Sequence, residues 1–160
     1  MDLKRFKTVA VGGTFDEFHK GHRAFILKAF EVGEHVLIGL CTDEFAKRLK
    51  KNHEVAPYED RLNELIIFLR KNRLMDRAEI LRLNDPYGPT VSNSDIEAIV
   101  VSRETEPRAY EINEEREKKG LPLLEIIAIE MIPAEDRVSI SSTRIHLGEI
   151  DREGRLLKKK

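Results

Sequence analysis

The stretch Gly12 to His22, GGTFDEFHKGH, decides the reading of this chain, because its character changes repeatedly within a short span. Before it, Phe6 to Val11 is an apolar run that reads as a buried strand, and after it, from Arg23 to Val32, apolar residues recur at helical spacing. A chain that leaves a strand at two glycines, passes a polar turn and restarts as a helix directs the first N–H groups of that helix at open space. An anion is their natural partner. His19 and His22 lie three apart on the opening turn, so their rings are expected to project from one face toward the same place.

A Gly-Gly turn alone often does no more than turn the chain, and a lone surface histidine usually does nothing. The joint pattern says more. Gly12 and Gly13 permit close approach, Thr14 brings a hydroxyl, and Gly21 removes side-chain bulk between the two rings, which together point to a phosphate cradle. The stretch lacks the Gly-Lys-Ser/Thr ending of a Walker A loop and the spacing of a Gly-x-Gly-x-x-Gly fingerprint.

At 160 residues the chain is expected to form one domain, residues 1–160, large enough for a core without disulfides or a structural metal. Cys41, the single cysteine, excludes an intramolecular disulfide and a multi-cysteine zinc site, and its apolar surroundings read as core. The cytoplasm is the default compartment. No stretch is long and apolar enough to span a bilayer, and Met1 to Thr8 lacks the apolar segment of a signal peptide. The formal net charge of −1 is built from interleaved cations and anions, so no global field favours nucleic acid or a membrane, and electrostatics must act inside a cleft. A charged fraction of 36% leans toward an ion-pair-rich surface. Residues 151–160, ending in Lys158, Lys159 and Lys160, read as a solvated basic tail.

Further along, a helix ends near Gly33, His35 to Cys41 reads as a second buried strand, and Thr42 and Asp43 cap a basic helix through Lys51. Most of its cations are expected to face solvent. Pro57 opens a helix to about Arg70 whose Leu62, Leu65, Ile66 and Leu69 form one apolar stripe. Ala78 to Leu83 is a third strand, and the following NDPYGPT, Asn84 to Thr90, is a rigid, non-regular loop. Ile96 to Val101 is a fourth strand, followed by SRETEP and a helix to Lys119 that Gly120 ends. Leu123 to Ile132 is the fifth strand, and a short helix from about Thr143 to Leu147 follows SISST.

Strands alternating with helices imply right-handed crossovers and an α/β fold: a doubly wound, Rossmann-like, five-stranded parallel sheet. Each conspicuous polar motif follows a strand. In an open parallel sheet those carboxyl ends share one edge, where ligands bind beside the point at which strand order reverses.

These residues resemble the nucleotidyltransferase superfamily, whose HxGH motif is shared with class I aminoacyl-tRNA synthetases. GTFD, HKGH and ISST are superfamily marks. PYEDR (Pro57 to Arg61), DPYGPT (Asp85 to Thr90), VVSRET (Val100 to Thr105) and INEERxxxGL (Ile112 to Leu121) are similar to the archaeal and eukaryotic phosphopantetheine adenylyltransferases, over nearly the whole chain. The resemblance implies an enzyme that moves AMP from ATP to 4′-phosphopantetheine, giving dephospho-coenzyme A and pyrophosphate by direct in-line transfer. Mg²⁺ is implied with ATP, held mainly by phosphate oxygens and water, so no metal-binding residues are expected.

By the same resemblance His19 and His22 lie on the ATP phosphates, with His22 stabilising the transition state. The ATP site further takes in Gly12, Thr14, Phe15, Gly21, Ser102, Arg103, Thr105, Ser141, Ser142, Thr143 and Arg144. Thr14 also faces the acceptor, whose arm would be lined by Asp85, Tyr87 and Thr90. A lysine after the second strand is implied to bridge the two substrates, and Lys47 and Lys50 fit equally. Two positions depart from the pattern: Arg103 stands where many relatives carry an acidic residue, and His146 where an arginine often ends the ISST motif, leaving Arg144 to supply positive charge. A monomer is compatible with all of this. A cytidylyltransferase or a nicotinamide-mononucleotide adenylyltransferase shares HxGH, and a non-catalytic nucleotide sensor would retain the cradle. DPYGPT and VVSRET argue against the first two, and the presence of both His19 and His22 against the sensor.

Overall fold

The computed structural model describes residues 5–49 and 54–157. Five strands, β1 (Phe6–Gly13), β2 (Gly33–Cys41), β3 (Ala78–Leu83), β4 (Ala98–Ser102) and β5 (Glu125–Ile129), form one parallel sheet in the order β3-β2-β1-β4-β5. The helices are α1 (Lys20–Val32), α2 (Asp43–Arg48), α3 (Tyr58–Lys71), α4 (Glu106–Lys118) and α5 (Ser142–His146). The expected α/β, doubly wound, Rossmann-like parallel sheet is therefore present. Strand order reverses between β1 and β4.

Alternation along the strands sends side chains to two different cores. Val9, Val11, Val36, Ile38, Ala98 and Val100 pack under α1 and α3, whose Ile26, Ala29, Phe30, Leu65 and Leu69 are buried against them. The opposite face, with Ala10, Leu37, Ile99 and Val101, meets Ala109 and Ile112 of α4. A single helix cannot cover that whole face. The part over Gly39 and Leu81 is left as one wall of a cleft.

Several boundaries differ from the sequence expectation for physical reasons. Gly33 ends α1 and at once begins β2, with an extended φ of −119°, not a left-handed one. Its glycine serves close packing, since a Cβ there would lie 2.6 Å from Val9 Cγ2. β5 is shorter than its apolar run: at the sheet edge it pairs only with β4, and Leu123 and Met131 beyond its ends are exposed. Gly148, at φ +74°, stops α5 as expected. Residues 151–157 do not behave as a tail. Ile150 is fully buried and bridges to Leu156, and the Arg152 carbonyl accepts the Lys20 N–H at 2.8 Å. Lys158, Lys159 and Lys160 fall outside the described residues.

Two arginines lie inside the protein, one on each side of β1. Arg116 of α4 is fully buried and donates to the carbonyls of Pro122 (2.7 Å), Thr90 (2.8 Å), Asn93 (3.0 Å) and Ile96 (3.4 Å). It fastens the loop before β4 to α4. Substituting Arg116→Met is expected to leave those carbonyls without donors and to lower stability by about 3–5 kcal/mol. The check is the denaturant midpoint at unchanged m-value.

Candidate active site

β1 and β2 stay paired to the end, Gly13 opposite Leu40, whereas the pairing of β1 with β4 runs only from Val9–Ala98 to Ala10–Ile99. The strands therefore part toward their carboxyl ends. The opening is a cleft of about 340 Å³, lined by Gly12, Gly13 and Thr14 from β1 and its turn, Val101 at the end of β4, Tyr87 and Thr105. A Cβ at Gly12 would only touch Leu83 at 3.4 Å, so protein packing does not demand glycine there; the bare backbone leaves room in the cleft.

The turn after β1 is held in an unusual shape. Phe15 and Glu17 both have left-handed φ, 53° and 54°. Arg61, with 2% exposure, supports it from beneath, donating to the carbonyls of Thr14 (2.9 Å), Cys41 (2.8 Å) and Ala56 (2.7 Å) and to Asp43 Oδ1 (2.9 Å). Asp16, also buried, accepts the Ala56 N–H at 3.0 Å. Thr42 caps α2 by accepting the Phe45 N–H. The ends of β1 and β2 are thus fixed to one another through a single guanidinium.

His19 caps α1, and the two histidines cap each other. The His22 N–H donates to His19 Nδ1 at 3.3 Å and the His19 N–H donates to His22 Nδ1 at 3.2 Å. The rings stack at 3.6 Å between centroids and 17° between planes, with Phe15 edge-on to His22 at 5.4 Å. A Cβ at Gly21 would lie 2.9 Å from His19 Cε1, so glycine is what lets this stack form. With both Nδ1 atoms accepting, each neutral ring must carry its proton on Nε2. The helix start differs from the expectation of open amides: those of Lys20 and His22 are occupied by the Arg152 carbonyl and by His19. Two imidazole Nε2–H groups take their place as donors. Burial lowers the His19 pKa to about 4, with Arg23 and Arg152 adding to the effect and Asp16 opposing it.

α5 (Ser142–His146) carries the remaining hydroxyls that the sequence assigned to phosphate. Ser141 caps it by accepting the Arg144 N–H at 3.2 Å and keeps its own hydroxyl proton to donate, with Ser142 and Thr143 following on the first turn. Arg144, expected to offer positive charge to phosphate, has protein partners of its own here. Its guanidinium is bound to Asp136, to Glu149 (3.0 Å) and to the carbonyls of Val138 (3.1 Å) and Ser139 (3.2 Å), holding its own loop closed. His146 turns to the β1 side instead, with Nε2 at 2.9 Å from Asp16 Oδ2. Arg152, which sequence reasoning assigned to a tail, pairs with Glu17 (3.2 Å) and Glu64 (3.0 Å).

On the other side of the cleft, Asp85 accepts the N–H groups of Tyr87 (2.9 Å) and Gly88 (2.7 Å), so it shapes its loop and does not reach for a ligand. Tyr87 and Thr90 line the cleft, and the Tyr87 hydroxyl donates to Glu111 Oε2 of α4 at 3.1 Å. Ser102 and Thr105 bond one another at the end of β4. Arg103 pairs with Glu130 (2.6 Å) and Glu106 (3.2 Å). Lys47 is exposed on α2, and Lys50 lies outside the described residues.

Residues 10–147 match the model of the cytidylyltransferase-like family. The chain is 49% identical to the phosphopantetheine adenylyltransferase of Methanothermobacter thermautotrophicus, over 98% of this chain and 93% of that protein. It is 52% identical to the protein of the same name from Methanosarcina barkeri, over 94% and 92%. Among solved structures, a protein of unknown function from Archaeoglobus fulgidus aligns with a TM-score of 0.68 at 32% identity, covering 78% of this chain and 98% of that one. The chain belongs to the phosphopantetheine adenylyltransferase family within the cytidylyltransferase-like group.

The lowered His19 pKa has a consequence for stability. The unfolded ring titrates near its ordinary 6.5 and the folded one near 4, so between these values the unfolded state binds more protons. Stability therefore rises with pH across that window and is lost as pH falls through it, by at most about 1.4 kcal/mol per pH unit from this group. His19→Asn keeps a cap acceptor but cannot titrate. The difference in unfolding free energy between pH 7 and pH 5 is expected to shrink in this variant, as read by urea denaturation.

Proposed function

We propose that this chain transfers the adenylyl group of ATP to 4′-phosphopantetheine in the cleft between the ends of β1 and β4, releasing dephospho-coenzyme A and pyrophosphate. The observation that carries the reading is the reciprocal histidine cap, which fixes two Nε2–H donors at the start of α1, on the turn that continues from the cleft-lining residues Gly12, Gly13 and Thr14. Family membership supplies the acceptor class.

The acceptor is a phosphate monoester with a second pKa of about 6, so near neutral pH its oxygen is already ionised and needs no general base. That oxygen attacks the α-phosphorus, the bond from phosphorus to the bridging α–β oxygen breaks, and pyrophosphate departs with the electron pair. No side chain takes the adenylyl group in between. Catalysis consists of aligning two anions and stabilising charge at the α-phosphorus and the leaving group.

In this reading His22 and His19 donate to the phosphate oxygens as neutral rings, which avoids placing two stacked cations together. Thr14 and the Phe15 amide face the reacting phosphates, and Ser141, Ser142 and Thr143 hold the β- and γ-phosphates. The adenosine lies near Ser102 and Thr105, and the pantetheine arm along Tyr87 and Thr90. Lys47 or Lys50 bridges the substrates. The donors around the cleft are imidazole N–H, hydroxyl and amide groups, suited to phosphate oxygens and not to a hard cation. Mg²⁺ would arrive with ATP on phosphate oxygens and water and neutralise the departing pyrophosphate. Nothing in the scheme requires a second copy of the chain, and the single buried thiol suits a cytoplasmic enzyme.

The test is to incubate the protein with ATP, Mg²⁺ and a panel of phosphorylated acceptors and to measure pyrophosphate. Release is expected with 4′-phosphopantetheine, and release only with nicotinamide mononucleotide or with CTP as donor would replace the reading. His22→Ala is expected to lower kcat by about a hundredfold while changing KM for ATP far less, because a donor that tightens on the transition state adds little to ground-state binding. An unchanged kcat would remove His22 from the chemistry.

A further inference from the structure

The contact between His146 and Asp16 joins α5 to the turn after β1. Asp16 is 3% exposed and sits between Phe15 and Glu17, the two residues with left-handed φ. A turn with two such residues owes its shape to what surrounds it, not to local preference. Two of its ties run through the Asp16 carboxylate: Oδ1 accepts the Ala56 N–H at 3.0 Å and Oδ2 meets His146 Nε2 at 2.9 Å. Glu17 Oε1 lies 3.8 Å from the same nitrogen.

His146 is the last residue of α5, and Ser142 and Thr143 are the first two. So short a helix moves as a unit. A bond at one end therefore fixes the hydroxyls at the other end relative to the Thr14–Glu17 turn. Elsewhere on α5, Ile145 packs on the small cluster of Ala134, Ile140 and Ile150, and Arg144 closes its own loop.

We infer that His146 is a positioning residue for the adenylyl transfer, acting through Asp16 to hold the α5 hydroxyls in register with the turn that carries Thr14 and Phe15. The inference rests on the function proposed above. Loss of the bond leaves α5 and the turn each able to hold its own part of the substrates. What is lost is their alignment, on which in-line attack depends more than binding does; a misplacement of about 1 Å suffices for a hundredfold effect.

Steady-state kinetics with ATP, Mg²⁺ and 4′-phosphopantetheine, together with thermal melting, would be measured for the wild type, His146→Ala and His146→Gln. The alanine variant is expected to lose about tenfold to a hundredfold in kcat with KM for ATP changed less than about threefold. Glutamine places an amide N–H near the position of the imidazole Nε2 and is expected to restore kcat to within about threefold of the wild type. An alanine variant with wild-type kcat, or a glutamine variant no better than alanine, overturns the inference. So does a lowered melting temperature with kcat intact. Should the alanine variant not fold, His146→Asn, polar but too short to reach Asp16, takes its place: reduced kcat supports the inference and wild-type kcat overturns it. A wild-type protein that makes no dephospho-coenzyme A refutes the proposed function instead, and so is told apart from the failure of this inference alone.

Discussion

Carbonyl groups at the carboxyl edge of a parallel sheet need donors wherever the edge is covered, and here the Arg61 guanidinium supplies them from inside the protein. It joins the carbonyls ending β1 and β2 to the approach to α3 and to the first residue of α2. A buried guanidinium is tolerated only when its donors are satisfied in good geometry, so each of these segments constrains the others. Arg116 does the same on the far side of β1, with carbonyls as its partners. The cleft opens between the two fixed regions. Its width is set by rigid supports below and beside it, which suits a site whose task is alignment.

The histidine pair applies the same economy to the helix start. A helix N-terminus offers N–H groups to an anion, but those groups are stiffly directed along the axis. Here His19 and His22 take two of the local N–H groups into a mutual cap and present side-chain N–H groups in exchange. The cap also determines the tautomer of each ring, so structure and donor chemistry follow from one arrangement. Burial keeps His19 neutral near physiological pH, and a stacked pair of rings at 3.6 Å is compatible with that neutrality.

Much of the fold and part of the candidate site were legible in the sequence, and the division has a physical basis. Apolar runs of period two and stripes of helical period mark the strands and helices because burial is their cause, and Ala78–Leu83 appears in the structure with the bounds read from its residues. HKGH and the SISST cap were found because local chemistry at fixed spacing carries them. The partners of Arg103 and Arg144 were not legible, because the carboxylates that pair with them, Glu130 and Asp136, come from other parts of the chain. Arg61 and Arg116 left a signal that periodicity alone can expose. Arg61 precedes Leu65 and Leu69 at four-residue steps, and Arg116 follows Ala109 and Ile112 on the same face, so both stand at core positions of amphipathic helices. Asp16, His146 and Arg152 left none, since their partners are joined only by the closed fold.

The distribution of polarity within the cleft bears on how one site can both accelerate and discriminate. Under the proposed function its phosphate side is made of donors on short, strongly supported turns: the Thr14–Glu17 turn, the histidine pair and α5. Its other side is built from Tyr87, Pro89, Leu81 and the bare backbone of Gly39, which can exclude water and fit a chain but offer few directed bonds. Phosphates common to many nucleotides would be gripped by the first side whatever the acceptor. Discrimination then falls to the second, where apolar contact alone separates related ligands only weakly. The Tyr87–Glu111 bond at that side shows where directed polarity is available: a hydroxyl held at 3.1 Å from a carboxylate can exchange that partner for an amide of a bound ligand without being left unpaired. Under the proposed function, rigid donors for the reacting phosphates lie on the turn after β1 and on α5, and an exchangeable one for the acceptor on the loop before β4.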